Sequence, residues 1–475
     1  MNDLQRRIII VRVAAGIFIL LAALGLAVLF SSTPAVRIAM RTAKPEELTA
    51  RTSARVVAVN LSGTFRKGPG VSGTLAGSWP RFRGERMDNI VHETPPLSSS
   101  MGAPKVLWSL DLGEGYAGPA VANGRVYIID YDEASRSDVI RVHSVDDGRE
   151  LWRRSYKNDI KRNHGMSRTT PAVAGNYLVT IGPKCHVVCL DAATGDFRWG
   201  IDLVKEEGTK VPLWYAGQCP LIDNGIAVIA PGGKNILIGI DCASGKVVWR
   251  TPNTARWNMS HASVMPVTLL GRRMYVYPAL GGVIGVSAGP GTRGEVLFTT
   301  TAWNASIIVP SAVPIGTDKL FLTAGYGVGS AVFTLAPRGG GFSVTRTAQY
   351  GKETFASEQQ TPILYNGRLF TVMPADAMAR KQQLVSMTTD GKVIWESGKD
   401  DRFGLGAYMI ADGKIFLLDD NGMLTCARAD GTSYQRLYRV KILSGRESWA
   451  PMAMISGRLI ARDSKRMVCI DVRAR

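Results

Sequence analysis

Residues 189–199, CLDAATGDFRW, decide the fold. The stretch returns in altered form as IDCASGKVVW at 240–249, SVDDGRELW at 144–152 and MTTDGKVIW at 387–395. Each copy joins an acidic tight turn, a glycine and a short apolar run holding a tryptophan. In the first copy Asp191 and Thr194 suit hydrogen bonding to turn backbone, and Gly195 suits a positive φ. Gly245 and Gly391 stand at the matching place in two other copies. Trp152, Trp199, Trp249 and Trp395 recur at one position, with Trp108 upstream of them. A tryptophan repeated this way reads as packing between units rather than as a cofactor site.

Working outward, apolar runs alternate with turn signals. GPAVANGRVYIID, residues 118–130, is two runs about Asn123-Gly124, a strong hairpin signal. VIRVHSVDDGRELW, residues 139–152, supplies two more runs around Asp146-Asp147-Gly148. One unit is therefore four short antiparallel strands. Such units recur about every 40 to 52 residues, the period of four-stranded propeller blades. The eighth unit ends with RMVCIDVRAR and lacks a fourth strand, while VLWSLDLG at 106–113 is a fourth strand with no unit before it. The expectation is an all-β fold: an eight-bladed β-propeller over 106–475, with residues 106–113 closing the last blade. Closure removes the long free edges of an open sheet.

The N-terminus has another character. Residues 13–30, VAAGIFILLAALGLAVLF, are uncharged and mostly apolar, close to the length that spans a bilayer as a helix. Arg6, Arg7 and Arg12 precede them, as expected of a cytoplasmic flank. Residues 1–30 are read as a cytoplasmic tail and an uncleaved transmembrane signal anchor, with a cleaved signal peptide as the alternative. The expected location is the inner membrane, single-pass, with the propeller facing the periplasm. Residues 31–77, rich in Ser, Thr, Ala and Gly, are read as a flexible linker and residues 78–105 as a capping segment.

The formal net charge of +18 favours anionic partners, but the charges are dispersed and no nucleic-acid motif accompanies them. The six cysteines, Cys185, Cys189, Cys219, Cys242, Cys426 and Cys469, form no CxxC, no haem-attachment motif and no metal-binding spacing. Cys189, Cys426 and Cys469 hold matching places in three units and read as small apolar residues in buried strands.

LDAATGDFRW and IDCASGKVVW resemble the repeat of pyrroloquinoline-quinone-type β-propellers. WPRFRGERMDNIVHETPPL at 79–97, with HGMSRTTPAV, VPLWYAGQCPL and APGGKN, resembles more narrowly a subgroup common in planctomycete-type bacteria. The wider family includes quinoprotein alcohol dehydrogenases and a periplasmic lipoprotein of the outer-membrane β-barrel assembly machinery. Kinship with the dehydrogenases implies a quinone held between a Trp and an adjacent-cysteine disulfide, with a carboxylate-bound Ca²⁺. This chain has no Cys-Cys pair and no assignable carboxylate set. It also has no cysteine before Cys185 for lipidation.

The least repeat-like segments carry the candidate ligand-binding residues. These are Arg162, His164 and Arg168 before the second blade, and Lys210, Trp214 and Tyr215 before the third. Gly232, Gly233 and Lys234 could offer backbone N–H groups to an anion. Arg256, Trp257 and His261 precede the fourth blade. The expected function is a membrane-anchored, extracytoplasmic, non-catalytic, monomeric propeller that acts as an envelope scaffold or binds a protein or an anionic or sugar-like ligand. No cofactor and no metal are expected. The alternatives are a dehydrogenase using pyrroloquinoline quinone with Ca²⁺, and a binder of anionic envelope polymer.

Overall fold

The computed structural model describes residues 58–474, with Leu20 alone before them. The expected anchor, Leu20 apart, and residues 31–57 of the expected linker lie outside the described residues. Among the described residues, no helix is long and apolar enough to cross a membrane.

Eight antiparallel blades are present, each built on four strands. Blade 1 consists of Ala120–Ala122, Arg125–Asp132, Ser137–Ser144 and Glu150–Lys157, in that order from the ring axis outward. The innermost strands of blades 2 to 8 are Ala172–Ala174, Leu221–Asp223, Met265–Leu269, Val313–Ile315, Ile363–Tyr365, Tyr408–Ala411 and Ala453–Ile455. These strands are short and largely buried, whereas the outer strands alternate between burial and exposure. The outer strand of blade 8 comes from the other end of the repeat. Lys105–Asp111 pairs antiparallel with Arg466–Asp471, placing Trp108 opposite Cys469.

The turn motif supplies the joint between blades. In the stretch 189–199, the Asp191 carboxylate accepts from the backbone N–H of Ala193 (2.9 Å) and Thr194 (3.0 Å), and Gly195 has φ +77°. A side chain at Gly195 would meet the ring of Trp152, from the outer strand of blade 1, at 2.8 Å. The Trp152 indole N–H donates to the Ala193 carbonyl at 3.1 Å. Trp199 of blade 2 repeats this on blade 3, donating to Cys242 at 2.9 Å and lying over Gly245. Trp108 repeats it from blade 8 onto blade 1, donating to Val145 at 3.0 Å over Gly148. Trp395 donates to Gly431 of blade 7 at 3.1 Å. Trp249 departs from the pattern and stacks on Tyr275 of blade 4, with centroids 5.9 Å apart and planes at 8°. All six cysteines are buried, separate thiols.

The segment before the repeat corrects the expectation of a linker as far as residue 77. Thr64–Lys67 adds a fifth strand to the outer edge of blade 1, paired with Glu150–Lys157. Thr74 then donates its backbone N–H to Asp146 at 2.7 Å, and the Ala76 carbonyl accepts from Ser456 of blade 8 at 2.7 Å. The glycine content that suggested freedom has another cause. At Gly68, Gly70 and Gly73 any Cβ would run into residues 145–151 of blade 1, so glycine lets this chain lie close against the blade.

Residues 79–91 then run inside the ring, along its innermost strands. Trp79 bridges Val121 of blade 1, and the Pro80 carbonyl accepts from Val173 of blade 2 at 2.8 Å. Arg81 donates to the Ile222 carbonyl of blade 3 at 3.0 Å. Arg83 is 4% exposed. Its guanidinium donates to the carbonyls of Met87 (2.9 Å), Thr361 (2.7 Å), Asp88 (3.1 Å) and Pro362 (3.0 Å), tying the segment to blade 6. Ile90–Val91 finally pairs parallel with Tyr408–Ala411 of blade 7. This segment is a plug in the channel. An arginine satisfied by four carbonyls is a device for burying a charge without a counter-ion.

The latch predicts the energetics of the turn motif. Trp199 is 8% exposed, so Trp199→Ala should destabilise by about 3–5 kcal/mol, the range for emptying a large buried aromatic site. The check is denaturant unfolding with the slope unchanged. A loss under 1 kcal/mol, roughly the worth of a lone hydrogen bond, would show that the latch is not the joint.

Candidate functional site

One cavity of about 280 Å³ lies on the ring axis. Its walls are the segments that lead into the innermost strands, and every blade contributes to them. Tyr116 precedes the inner strand of blade 1, His164 and Arg168 that of blade 2, and Trp214 and Cys219 that of blade 3. His261 precedes blade 4, Val309 blade 5, Glu358 and Gln360 blade 6, Leu405 blade 7 and Trp449 blade 8. Tyr326 reaches in from a turn within blade 5, and Phe82 of the plug lines the cavity as well. The cavity residues sit just upstream of the inner strands, and the plug lies along those strands. Phe82 is therefore the floor, and the plug makes the pocket blind.

Aromatic rings dominate the wall. Trp214 stacks with His261 (centroids 6.1 Å, planes at 24°) and with Tyr326 (6.2 Å, 29°), and His164 meets it edge-on at 6.1 Å. Tyr116 and Trp449 pair at 5.0 Å. Trp214 and Tyr215 both take positive φ, at 65° and 72°. Two successive non-glycine residues in that region cost energy that surrounding contacts must offset, a pattern associated with functional loops.

Arg168 holds the aromatic wall in place. Its guanidinium donates to the carbonyl of Trp214, and to those of Asn163 (2.8 Å) and His164 (2.6 Å). It also lies over the Tyr116 ring, 5.6 Å from the centroid. Among the described residues no carboxylate pairs with it. Burial lowers its pKa to about 10, so it stays charged at neutral pH. Burial and the nearby Arg168 charge push His261 down to about 4, leaving a neutral imidazole. On the other side, burial raises the Glu358 carboxyl above its ordinary value, with Asp376 and Asp420 adding to the shift, and the Tyr326 hydroxyl lies beside it. Burial also raises the Cys219 thiol, to about 11, so little of it is thiolate at neutral pH.

The structure brings His164, Arg168, Trp214 and His261 together and sends the other candidates elsewhere. Arg162 is ion-paired to Glu114 at 2.8 Å outside the cavity. Tyr215 donates its hydroxyl to the Lys161 carbonyl and packs against Tyr131, Ile160 and Met166. Lys210 and Arg256 are exposed and away from the cavity. Trp257 is core, with Gly281 and Gly282 packed against its ring. Gly232 and Gly233 lie against the backbone of Met259 and Glu207. The Lys234 N–H donates to the Glu207 carbonyl at 2.6 Å, so that loop offers no open anion cradle. Sequence reasoning missed Phe82, Tyr116, Tyr326, Glu358 and Trp449. The signal available was positional. Gly118-Pro119, Thr170-Pro171, Cys219-Pro220 and Thr361-Pro362 all mark the approach to an inner strand.

The family described as outer membrane protein assembly factor BamB matches residues 103–211 and 135–339. This is a PQQ-like β-propeller. Among solved structures, quinohemoprotein alcohol dehydrogenase ADHIIG from Pseudomonas putida HK5 is 13% identical, with a TM-score of 0.57, over 84% of this chain and 81% of that one. A europium-containing methanol dehydrogenase is 11% identical, with a TM-score of 0.56, over 83% and 89%. A computationally designed protein, Ika8, is 11% identical, with a TM-score of 0.53, over 77% and 99%. Likeness at these identities concerns the fold. No curated protein matches the sequence.

The residues of this propeller do not match the quinone site that dehydrogenase kinship implies. The cysteines are separate buried thiols, so no adjacent-cysteine cap can form. Among the described residues no group of three His, Cys, Asp or Glu side chains is placed to hold a metal ion. The donor set does not fit a metal-polarised quinone.

The floor of the pocket is testable without any ligand. Cys219 lines the cavity and the other five thiols are buried among the blades. In Phe82→Ala, methyl methanethiosulfonate should modify Cys219 faster than in the unaltered protein, with peptide mass spectrometry as the readout. An unchanged rate in a variant of unchanged melting temperature would mean that Phe82 is not the floor.

Proposed function

We propose that this PQQ-like propeller is a non-catalytic binding module whose axial pocket takes a small organic ligand bearing an anionic group. The observation that carries the reading is Arg168, a largely buried guanidinium without a carboxylate partner on the wall of an aromatic-lined cavity. Small-ligand pockets combine a mostly apolar wall with a few placed polar groups. Here Trp214, Tyr326, Tyr116 and Trp449 supply the wall, and Arg168, neutral His261 and Gln360 supply the polar groups. A ligand anion would complete the coordination of the Arg168 charge, and a charge-assisted hydrogen bond is among the stronger contacts available.

The experiment is titration with 8-anilinonaphthalene-1-sulfonate, an aromatic anion, followed by fluorescence. Arg168→Gln should weaken binding about tenfold, the worth of one hydrogen bond to a charged group. Because Arg168 also holds the 163–164 and 214 loops, Arg168→Lys is the control, retaining the charge and recovering part of the affinity. Equal affinity in all three proteins would remove Arg168 from the site. Turnover of an alcohol on addition of pyrroloquinoline quinone and Ca²⁺ would overturn the non-catalytic reading.

The same proposal places the propeller on the periplasmic face of the inner membrane, tethered by residues 13–30 as a scaffold in the envelope. Support comes from the apolar run and the arginines before it. The mature protein should keep its N-terminal residues. A mature N-terminus at or after Ser31, found by terminal sequencing of the native protein, would remove the tether.

A further inference from the structure

The two charged side chains on the cavity wall stand on opposite sides of the ring. Arg168 leads into blade 2 and Glu358 into blade 6, four blades apart in a ring of eight. They do not pair with each other, and neither pairs with another ionic side chain among the described residues. Arg168 gives three of its five donors, from Nε and Nη2, to backbone carbonyls. Tyr326 lies between the two charges, close enough to feel both.

The asymmetry extends beyond these two. On the Glu358 side, Asp376 and Asp420 are close enough to disfavour its ionisation. Asp420 is held by the Trp449 indole N–H at 2.8 Å, and Glu447 by the Tyr116 hydroxyl. Asp420 in turn sits near Asp419 and Glu447. Asp376 has Lys352 at 3.3 Å and Asp419 has Arg439 at 2.8 Å. The acidic arc without a cationic partner among the described residues is therefore Glu358, Asp420 and Glu447, of which Glu358 alone lines the cavity, across from Arg168 and the neutral His261 imidazole. The acidic arc is not a metal centre, for no group of three such ligands converges among the described residues.

Resting on the binding-module reading above, we propose that the ligand is dipolar: a small zwitterion that sets an anionic group against Arg168 and an ammonium group against Glu358, with its body between the aromatic rings. A wall split in this way discriminates by charge placement. A simple anion leaves the acidic arc crowded, and a polyanion brings like charge against it. A simple cation leaves Arg168 uncompensated. Only a ligand carrying both charges relieves both sides, and an ammonium group also gains from aromatic faces.

Three probes of one shape separate these cases: 4-(aminomethyl)benzoate, 4-methylbenzoate and 4-methylbenzylamine, titrated calorimetrically into the purified full-length protein in detergent. The dipolar probe should bind about tenfold or more tighter than either single-charge probe, the worth of one charged hydrogen bond. Glu358→Gln should erase its advantage over 4-methylbenzoate and leave 4-methylbenzoate unchanged. Arg168→Lys, which keeps the charge, should preserve the preference, and Arg168→Gln should erase the advantage over 4-methylbenzylamine. If 4-methylbenzoate binds as tightly as the dipolar probe and Glu358→Gln changes neither, the dipolar ligand is overturned while the anion pocket stands. If none of the three binds and the sulfonate probe is insensitive to Arg168, both readings fall together.

Discussion

The joint between successive blades is the interaction on which this molecule depends. A four-stranded blade has two apolar faces and cannot bury both alone, so each must lie on its neighbour. The acidic turn does two things at once. It reverses the chain through a left-handed glycine, and it leaves a flat, Cβ-free surface with an outward carbonyl. The indole of the preceding blade fills that surface and donates to that carbonyl, satisfying a polar group that would otherwise be costly to bury. The same pairing that joins Trp152 to blade 2 joins Trp108 to blade 1. One type of contact therefore serves four of the eight junctions, the closing one among them, and the strand Lys105–Asp111 takes its place because both its edge and its tryptophan are answered.

That economy explains what could be read from the sequence. Asp191, Gly195 and Trp199 are local to one another, and their chemistry specifies a turn and a packing surface wherever it recurs. Blade number and the orphan strand followed from counting. The pocket obeys a different rule. Arg168 and Glu358 are nearly two hundred residues apart and share no motif; only ring closure brings them to one cavity. The sequence does mark blades 2 to 4 as irregular, which is why His164, Arg168, Trp214 and His261 could be found. Glu358 and Trp449 stand in segments of ordinary appearance. Gly232 and Gly233 mislead for a physical reason: glycine permits close approach of backbone to backbone as readily as of backbone to a ligand, and here it does the former.

The N-terminal segment shows the same ambiguity on a larger scale. Composition alone assigns residues 31–77 to a flexible linker, because small and polar residues cannot build a core of their own. Residues 59–77 do not need one. They borrow the free edge of blade 1, where unpaired strand groups are a standing liability, and glycine lets them lie flat on it. The plug that follows is held by a buried arginine with four of its five donors taken by carbonyls. A carboxylate partner would have satisfied Arg83 with fewer contacts but would have placed a second charge in the channel. Backbone carbonyls hold the segment to blade 6 while adding none.

The channel therefore contains two arginines treated in different ways. Arg83 has four of its five donors bonded to carbonyls and is sealed beneath the floor. Arg168, above the floor, supports the Trp214 loop and still lines open space. An eight-fold repeat would by itself give a ring of eight similar residues around the axis, a site with no direction. The segments leading into the inner strands break that symmetry, placing a cation on blade 2, a carboxyl on blade 6 and aromatic rings between them. The repeat is constrained by packing on its outer strands and turns, and these short connecting segments are not, so they are free to differ from blade to blade. A directional pocket on a rotationally repetitive scaffold arises from that division of constraint.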